Sequence, residues 1–123
     1  MSSRIEEIWR SLYASNPKIK ALAVIESSSV IWQTSNWNVI EDGPIIVDMT
    51  KNDAPKITQG GIDYTHVESS KDYYVATAGE KGHLLISNID KNRSMVGWAA
   101  PDSDPELAIV DLCYHAISLG RGS

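Results

Sequence analysis

The side chains with the most chemistry to offer are three histidines, one cysteine and a short run of acids. His66, His83 and His115 lie far apart and lack the HExxH spacing that sets two imidazoles on one helix face for zinc. Each is read as a surface or half-buried side chain rather than a metal ligand. Cys113 sits among Leu112, Tyr114 and Ala116, which predicts a packed thiol, not a reactive one. No GxSxG elbow marks a nucleophilic serine. Gly79-Glu80-Lys81-Gly82 has neither the length nor the Lys-Ser/Thr of a phosphate loop and reads as a hairpin turn. Asp102, Asp104 and Glu106 resemble an acid cluster, but they precede an apolar-periodic stretch, where helix capping accounts for them. With no catalytic set, metal set or cofactor cradle, the chain is expected to be a binding protein rather than an enzyme.

Composition narrows what is bound. The chain has 123 residues, enough for one domain with a real core, here expected to span residues 1–123. Its net charge of −5 argues against nucleic acid and against anionic lipid, both of which call for basic surface. No apolar run reaches the roughly 20 residues of a membrane span. The start, MSSRIEEIWRSLY, carries acids and no apolar core, so it is not read as a secretory signal. One cysteine excludes an internal disulfide and fits a reducing, cytoplasmic compartment; the Asn92-Arg93-Ser94 sequon is then accidental.

The elements follow from periodicity. Residues 3–15 read as a helix with Ile5, Ile8 and Leu12 on its buried face, and Trp9 and Tyr13 one turn apart beside it. IKALAVIE (19–26) and VIWQTS (30–35) read as a hairpin, the first strand apolar enough to lie centrally. A short helix enters through Gly43-Pro44 with Ile45, Ile46 and Met49 as its apolar face, and APKITQGG reads as a loop. Residues 59–104 then read as four antiparallel strands: IDYTHV, YYVATA, HLLISNI and SMVGWAA, separated by Gly, Asn, Asp and Ser. A last helix begins at Asp104-Pro105-Glu106, carries Leu107, Val110, Tyr114 and Ile117 as a stripe widened by Ile109, Leu112 and Ala116, and stops at Gly120. The sum is an α+β domain with two terminal helices over one face of a six-stranded antiparallel sheet.

Particular residues give this order a family likeness. Gly60-Gly61-Ile62-Asp63-Tyr64 enters a strand, Gly79, Lys81 and Gly82 make a turn, and Met95-Val96-Gly97-Trp98 and Pro101 precede the closing helix. Upstream, Ala23-Val24-Ile25 is followed by Val30-Ile31-Trp32-Gln33-Thr34-Ser35-Asn36-Trp37. Over residues 4–119 this pattern resembles the profilins, and among them the divergent archaeal kind. The resemblance implies a six-to-seven-stranded antiparallel sheet, with the N- and C-terminal helices on one face and a short helix on the other. It also implies a cytoplasmic, cytoskeleton-associated monomer that binds the barbed-end face of monomeric actin and regulates polymerisation.

Carried over to this chain, the actin face would comprise Lys56, Thr65, Val67, Glu68, Lys81, Leu85 and Ser87, with Glu106, Val110 and His115 from the last helix. Strand alternation turns Thr65 and Val67 to one side, and Leu85 and Ser87 outward if Leu84 and Ile86 face the core. Outward Val67 and Leu85 would form an apolar interface centre. Glu68 stands where the family often has arginine, so a basic contact becomes acidic. The family's proline-rich-segment site maps to Trp9 and Trp32, with Tyr13 or Tyr114 as supplementary aromatics; Glu6 replaces a usual tryptophan and Leu119 stands near a usual histidine. Phosphoinositide binding is expected to be weak or absent, since Lys18 and Lys20 are a thin basis. Two other readings share the element types: a roadblock or longin-like dimer regulating a small GTPase, and a PAS-type sensor with an internal cavity. Six strands and a short central helix favour the profilin resemblance over the first.

Overall fold

A computed structural model describes residues 2–27 and 29–121. Its elements are α1 (Ser2–Ser15), β1 (Ile19–Glu26), β2 (Ser29–Gln33), α2 (Asp42–Lys51), β3 (Lys56–Gln59), β4 (Ile62–Ser69), β5 (Tyr73–Thr77), β6 (His83–Asn88), β7 (Arg93–Ala99) and α3 (Pro105–Arg121), with a single 3-10 turn at Gly79–Lys81. The seven strands form one antiparallel sheet in the order β2-β1-β7-β6-β5-β4-β3. The extra strand over the sequence reading is β3. Its four residues lie between Pro55 and Gly60-Gly61, which makes them look like loop. Pairing Lys56 with Thr65 and Ile57 with Tyr64 makes them a strand. Gly60 and Gly61, with φ of 59° and 79°, supply the left-handed turn that joins β3 to β4.

Each face of the sheet is a core wall. On one side α1 and α3 bury Ile8, Leu12, Leu22, Val24, Leu85 and Leu112. On the other, α2 covers Ile25, Ile46, Ile57, Tyr64, Tyr74 and Ile86. Because alternate residues of β6 enter opposite cores, Leu84 and Leu85 are both buried. This corrects the expectation that Leu85 and Ser87 face solvent: that assumed a sheet wet on one side, whereas helices cover both. In α2, Ile46 and Val47 turn inward while Ile45 is exposed.

The α3 register is the larger correction. Leu107, Val110, Tyr114 and Ile117 lie outward; Ala108, Ile109, Leu112, Ala116 and Leu119 are buried. The helix is apolar around most of its circumference, so periodicity alone offers two neighbouring stripes. The small side chains of Ala108 and Ala116 favour the inward one, because they let the helix axis approach the sheet.

At the β5–β6 connection, Gly82 has φ of 107°, and a Cβ there would lie 2.6 Å from the Trp98 indole. Only glycine satisfies both demands, which fixes the path into β6.

Candidate functional site

Three flanks of α3 have three different tasks. Its start is capped by Asp104, whose carboxylate accepts the Glu106 N–H at 3.0 Å. One flank lies on the sheet through Leu112, Ala116 and Leu119. A second faces α1. There the Asn16 amide donates to Asp111 at 3.0 Å and Arg4 donates to the Ser118 carbonyl at 3.0 Å. His115 Nδ1 donates to the Asp111 carbonyl at 2.8 Å, and Nε2 is in hydrogen-bond contact with the Ser11 hydroxyl at 3.1 Å. His115 is therefore a buried bracket between helices. It does not belong to an exposed binding face, a correction to its expected place.

The third flank opens on a groove of 870 Å³. Val110, Tyr114 and Ile117 border it, 62%, 68% and 55% exposed, and Ile109 and Cys113 lie deeper. Across the groove stand Glu68, Tyr73, the β6 end at Ser87 and Asn88, and Ile89 just beyond it. A bulge in β4 builds that wall. His66 pairs with Ala76 and Glu68 with Val75, so Val67 is the extra residue and is 56% exposed. The bulge turns Glu68 to the α3 side, where Val75 belongs to the α1–α3 core. The Tyr73 hydroxyl donates to Glu68 at 3.0 Å, and this bond is the main cause that raises the Tyr73 phenol above its ordinary pKa. Burial pushes the Cys113 thiol up, opposed in part by a hydrogen bond from the Ser87 hydroxyl at 3.3 Å. It is a packed thiol forming part of the groove floor, poorly suited to nucleophilic work.

The remaining expected residues divide. Lys56, Thr65 and Glu106 are exposed, and strand register puts Lys56 and Thr65 on the sheet side that carries Glu68. Lys56 is paired with Asp63 at 3.6 Å. Lys81 is exposed on the 3-10 turn before β6, at the opposite end of that strand from Asn88 and outside the groove. Sequence reasoning missed Tyr73, Cys113 and Ile117 as groove residues. The i, i+4, i+7 run of Val110, Tyr114 and Ile117 held the signal, but Val110 was expected on the actin face and Tyr114 at the proline-rich-segment site, so the three were not read as one surface.

A second groove, of 570 Å³, lies between α1 and β2 and brings together Trp9, Tyr13 and Trp32. Trp9 and Tyr13 stand with ring centroids 5.4 Å apart, as their spacing of one turn predicts. Tyr114 and Leu119 do not join them. Tyr114 borders the α3 groove, and Leu119 is buried against the sheet.

His66, Ser69 and Asp53 form an arrangement that looks nucleophilic. Ser69 donates its hydroxyl proton to Asp53 at 3.0 Å, so it accepts from His66 Nε2 at 2.9 Å. Its proton is directed at the carboxylate and away from the imidazole, so the chain of bonds pins β4 rather than activating the serine. Among the described residues, no group of three His, Cys, Asp or Glu side chains is placed to hold a metal ion.

No protein-family model matches the chain. Thor profilin from Thorarchaeota archaeon is 28% identical over 97% of both chains. Odin profilin from Odinarchaeota yellowstonii is 29% identical, covering 84% of this chain and 87% of its own. The solved complex of Loki profilin 2 with rabbit actin contains a chain that superposes with a TM-score of 0.89 at 26% identity, over 98% of each. A roadblock domain from Streptomyces avermitillis reaches only 0.56 at 10% identity, a likeness of layered fold alone. In fold, in element order and over nearly its whole length, the chain is similar to the archaeal profilins.

Proposed function

We propose that the chain binds monomeric actin through the groove between α3 and the β4–β6 sheet face, and that it regulates polymerisation by occupying the monomer's barbed-end face. The observation that carries this reading is the Val110–Tyr114–Ile117 stripe, exposed along a groove with a ready floor of buried side chains. An aromatic anchor within an apolar centre and a polar rim is the composition of an interface core. The Loki profilin 2 solved with rabbit actin supports it by likeness of fold and sequence. Glu68, Glu106 and Val110 form the contact surface with Tyr114 and Ile117, and Lys56, Thr65 and Val67 extend it along β3 and β4; Leu85 and Ser87 support it from beneath, while Lys81 and His115 lie outside it. The protein acts as a monomeric single domain in the cytoplasm, without a cofactor and without catalysis.

The test is titration against rabbit monomeric actin under non-polymerising conditions. Tyr114→Asp, placed on an exposed position where the fold tolerates charge, is expected to weaken binding by at least about tenfold. Equal affinity of the variant, or no binding by the unaltered chain, would sink the proposal. Light scattering of the free chain is expected to give one protomer; a constitutive dimer would favour a roadblock-like role.

The aromatic groove favours a second ligand. Trp9, Tyr13 and Trp32 offer flat faces on which a proline-rich segment in its extended left-handed helix can stack. Phosphoinositide headgroups are not a comparable candidate: Lys18 is bonded to the Asp102 carboxylate, which leaves little free cationic surface there.

A further inference from the structure

Charge on the α3 groove is of one sign. The acidic rim residues are Glu68, Asp72 and Glu106; no lysine, arginine or histidine lines it. Among the described residues none of the three is in an ion pair, although Glu6, Asp63, Asp90 and Asp102 elsewhere all have cationic partners. Glu68 is also held in place. The β4 bulge aims it across the groove, and the Tyr73 hydroxyl binds one carboxylate oxygen. Carboxylates spaced around an apolar floor raise the local potential for cations and repel anions, and a rigid one discriminates better than a mobile one.

We infer that the groove selects a partner segment whose apolar ridge is flanked by lysine or arginine, the cation docking against Glu68. This inference rests on the reading of the groove as the actin site and specifies which actins suit it: those with basic side chains beside their apolar contact. Glu68 is the specificity-determining residue, Tyr73 its positioning residue, and Val110 and Tyr114 supply the apolar contact common to all partners. Rim charges of this kind act mainly on association and discrimination, so the preference weakens as salt shortens the range of the field.

Two labelled amphipathic peptides of identical leucine ridge, one flanked by lysine and one by glutamate, test the charge rule by fluorescence polarisation. The lysine peptide is expected to bind at least about tenfold tighter at low salt, a margin typical of complementary against like charge pairs. Glu68→Lys should reverse or abolish the preference, Tyr73→Phe should narrow it, and Tyr114→Asp should weaken both peptides alike. Equal binding of the two peptides, a preference for glutamate, no binding of either, or a preference unmoved by Glu68→Lys overturns the inference. Actin binding is scored separately with the rabbit protein. Peptides that fail while actin binds and Tyr114→Asp does not sink the charge rule alone; loss of all actin binding sinks the reading beneath it.

Discussion

The two grooves on the α1–α3 side of the sheet are built by opposite means. The α3 groove draws its walls from α3, the β4 bulge and the ends of β5 and β6, and its rim carries acids without cationic partners among the described residues. Beside α1, two aromatic residues one turn apart meet a third from β2, and the flanking charges include Arg10 paired with Glu6 at 3.8 Å and the cation Lys20. One is an apolar slot within a negative field; the other is an aromatic shelf with its charges mixed. A single layer of helices on one sheet thus offers two surfaces whose ligands need not compete. What separates them is α3 itself, with His115 and Asp111 tied to α1 on one flank and Val110 and Tyr114 free on the other.

The most severe way to break this separation is to loosen α3. Leu112 is fully buried in a core that also contains Ile8 and Leu12 of α1. Leu112→Ala removes a side chain from a wall shared by both helices and is expected to cost about 2–5 kcal/mol. Urea unfolding followed by binding of a polyproline peptide, which reports on the groove beside α1, and by actin binding, which reports on the α3 side, should shift together. Transitions that come apart would show the two grooves to be independent units.

A milder change should separate the grooves without unfolding either. Trp9→Ala removes one face of the aromatic shelf and leaves α3 untouched. Its affinity for a polyproline peptide is expected to fall about tenfold, while its affinity for actin stays within about twofold. Comparable losses at both would mean that the surfaces communicate through the helix pair.

How far each groove could be read from sequence follows the same division. Part of the aromatic shelf was legible because it is local: Trp9 and Tyr13 are one helical turn apart, while Trp32 was joined to them only by the family resemblance. The α3 groove was not, since it depends on three things that linear pattern does not carry. Which of two apolar stripes on α3 faces the sheet is settled by Ala108 and Ala116, whose small size matters only once the helix is docked. The bulge at Val67 shifts register by one residue, and nothing in IDYTHVES announces it. Leu85 seemed exposed because alternation assigns one face to solvent, whereas α2 and the α1–α3 pair cover both. The fold class, the terminal helices and the hairpins were legible; β3 was lost between Pro55 and two glycines.

The smallest expected effect concerns what steadies one groove and not the other. Asn88 and Ile89, on the α3 groove, lead into the β6–β7 turn, and Asp90 buckles that turn. Its carboxylate accepts the backbone N–H groups of Asn92 and Arg93, each at 2.9 Å, and pairs with the Arg93 guanidinium at 2.8 Å. The Arg93 side chain, then the Asn92 N–H, holds the carboxyl below its ordinary pKa. A carboxylate depressed in the folded state stabilises it above the unfolded pKa, near 4, and loses that contribution as pH falls through the lower folded value. Asp90 is half exposed and screened, so Asp90→Asn is expected to cost less than about 1 kcal/mol at neutral pH. Amide exchange should show reduced protection at Asn92 and Arg93 in the variant, with β2 unchanged, and the difference from the unaltered chain should shrink in acid. Equal loosening at β2, or a difference that grows as pH falls, would assign the turn a global role and remove this local distinction between the grooves.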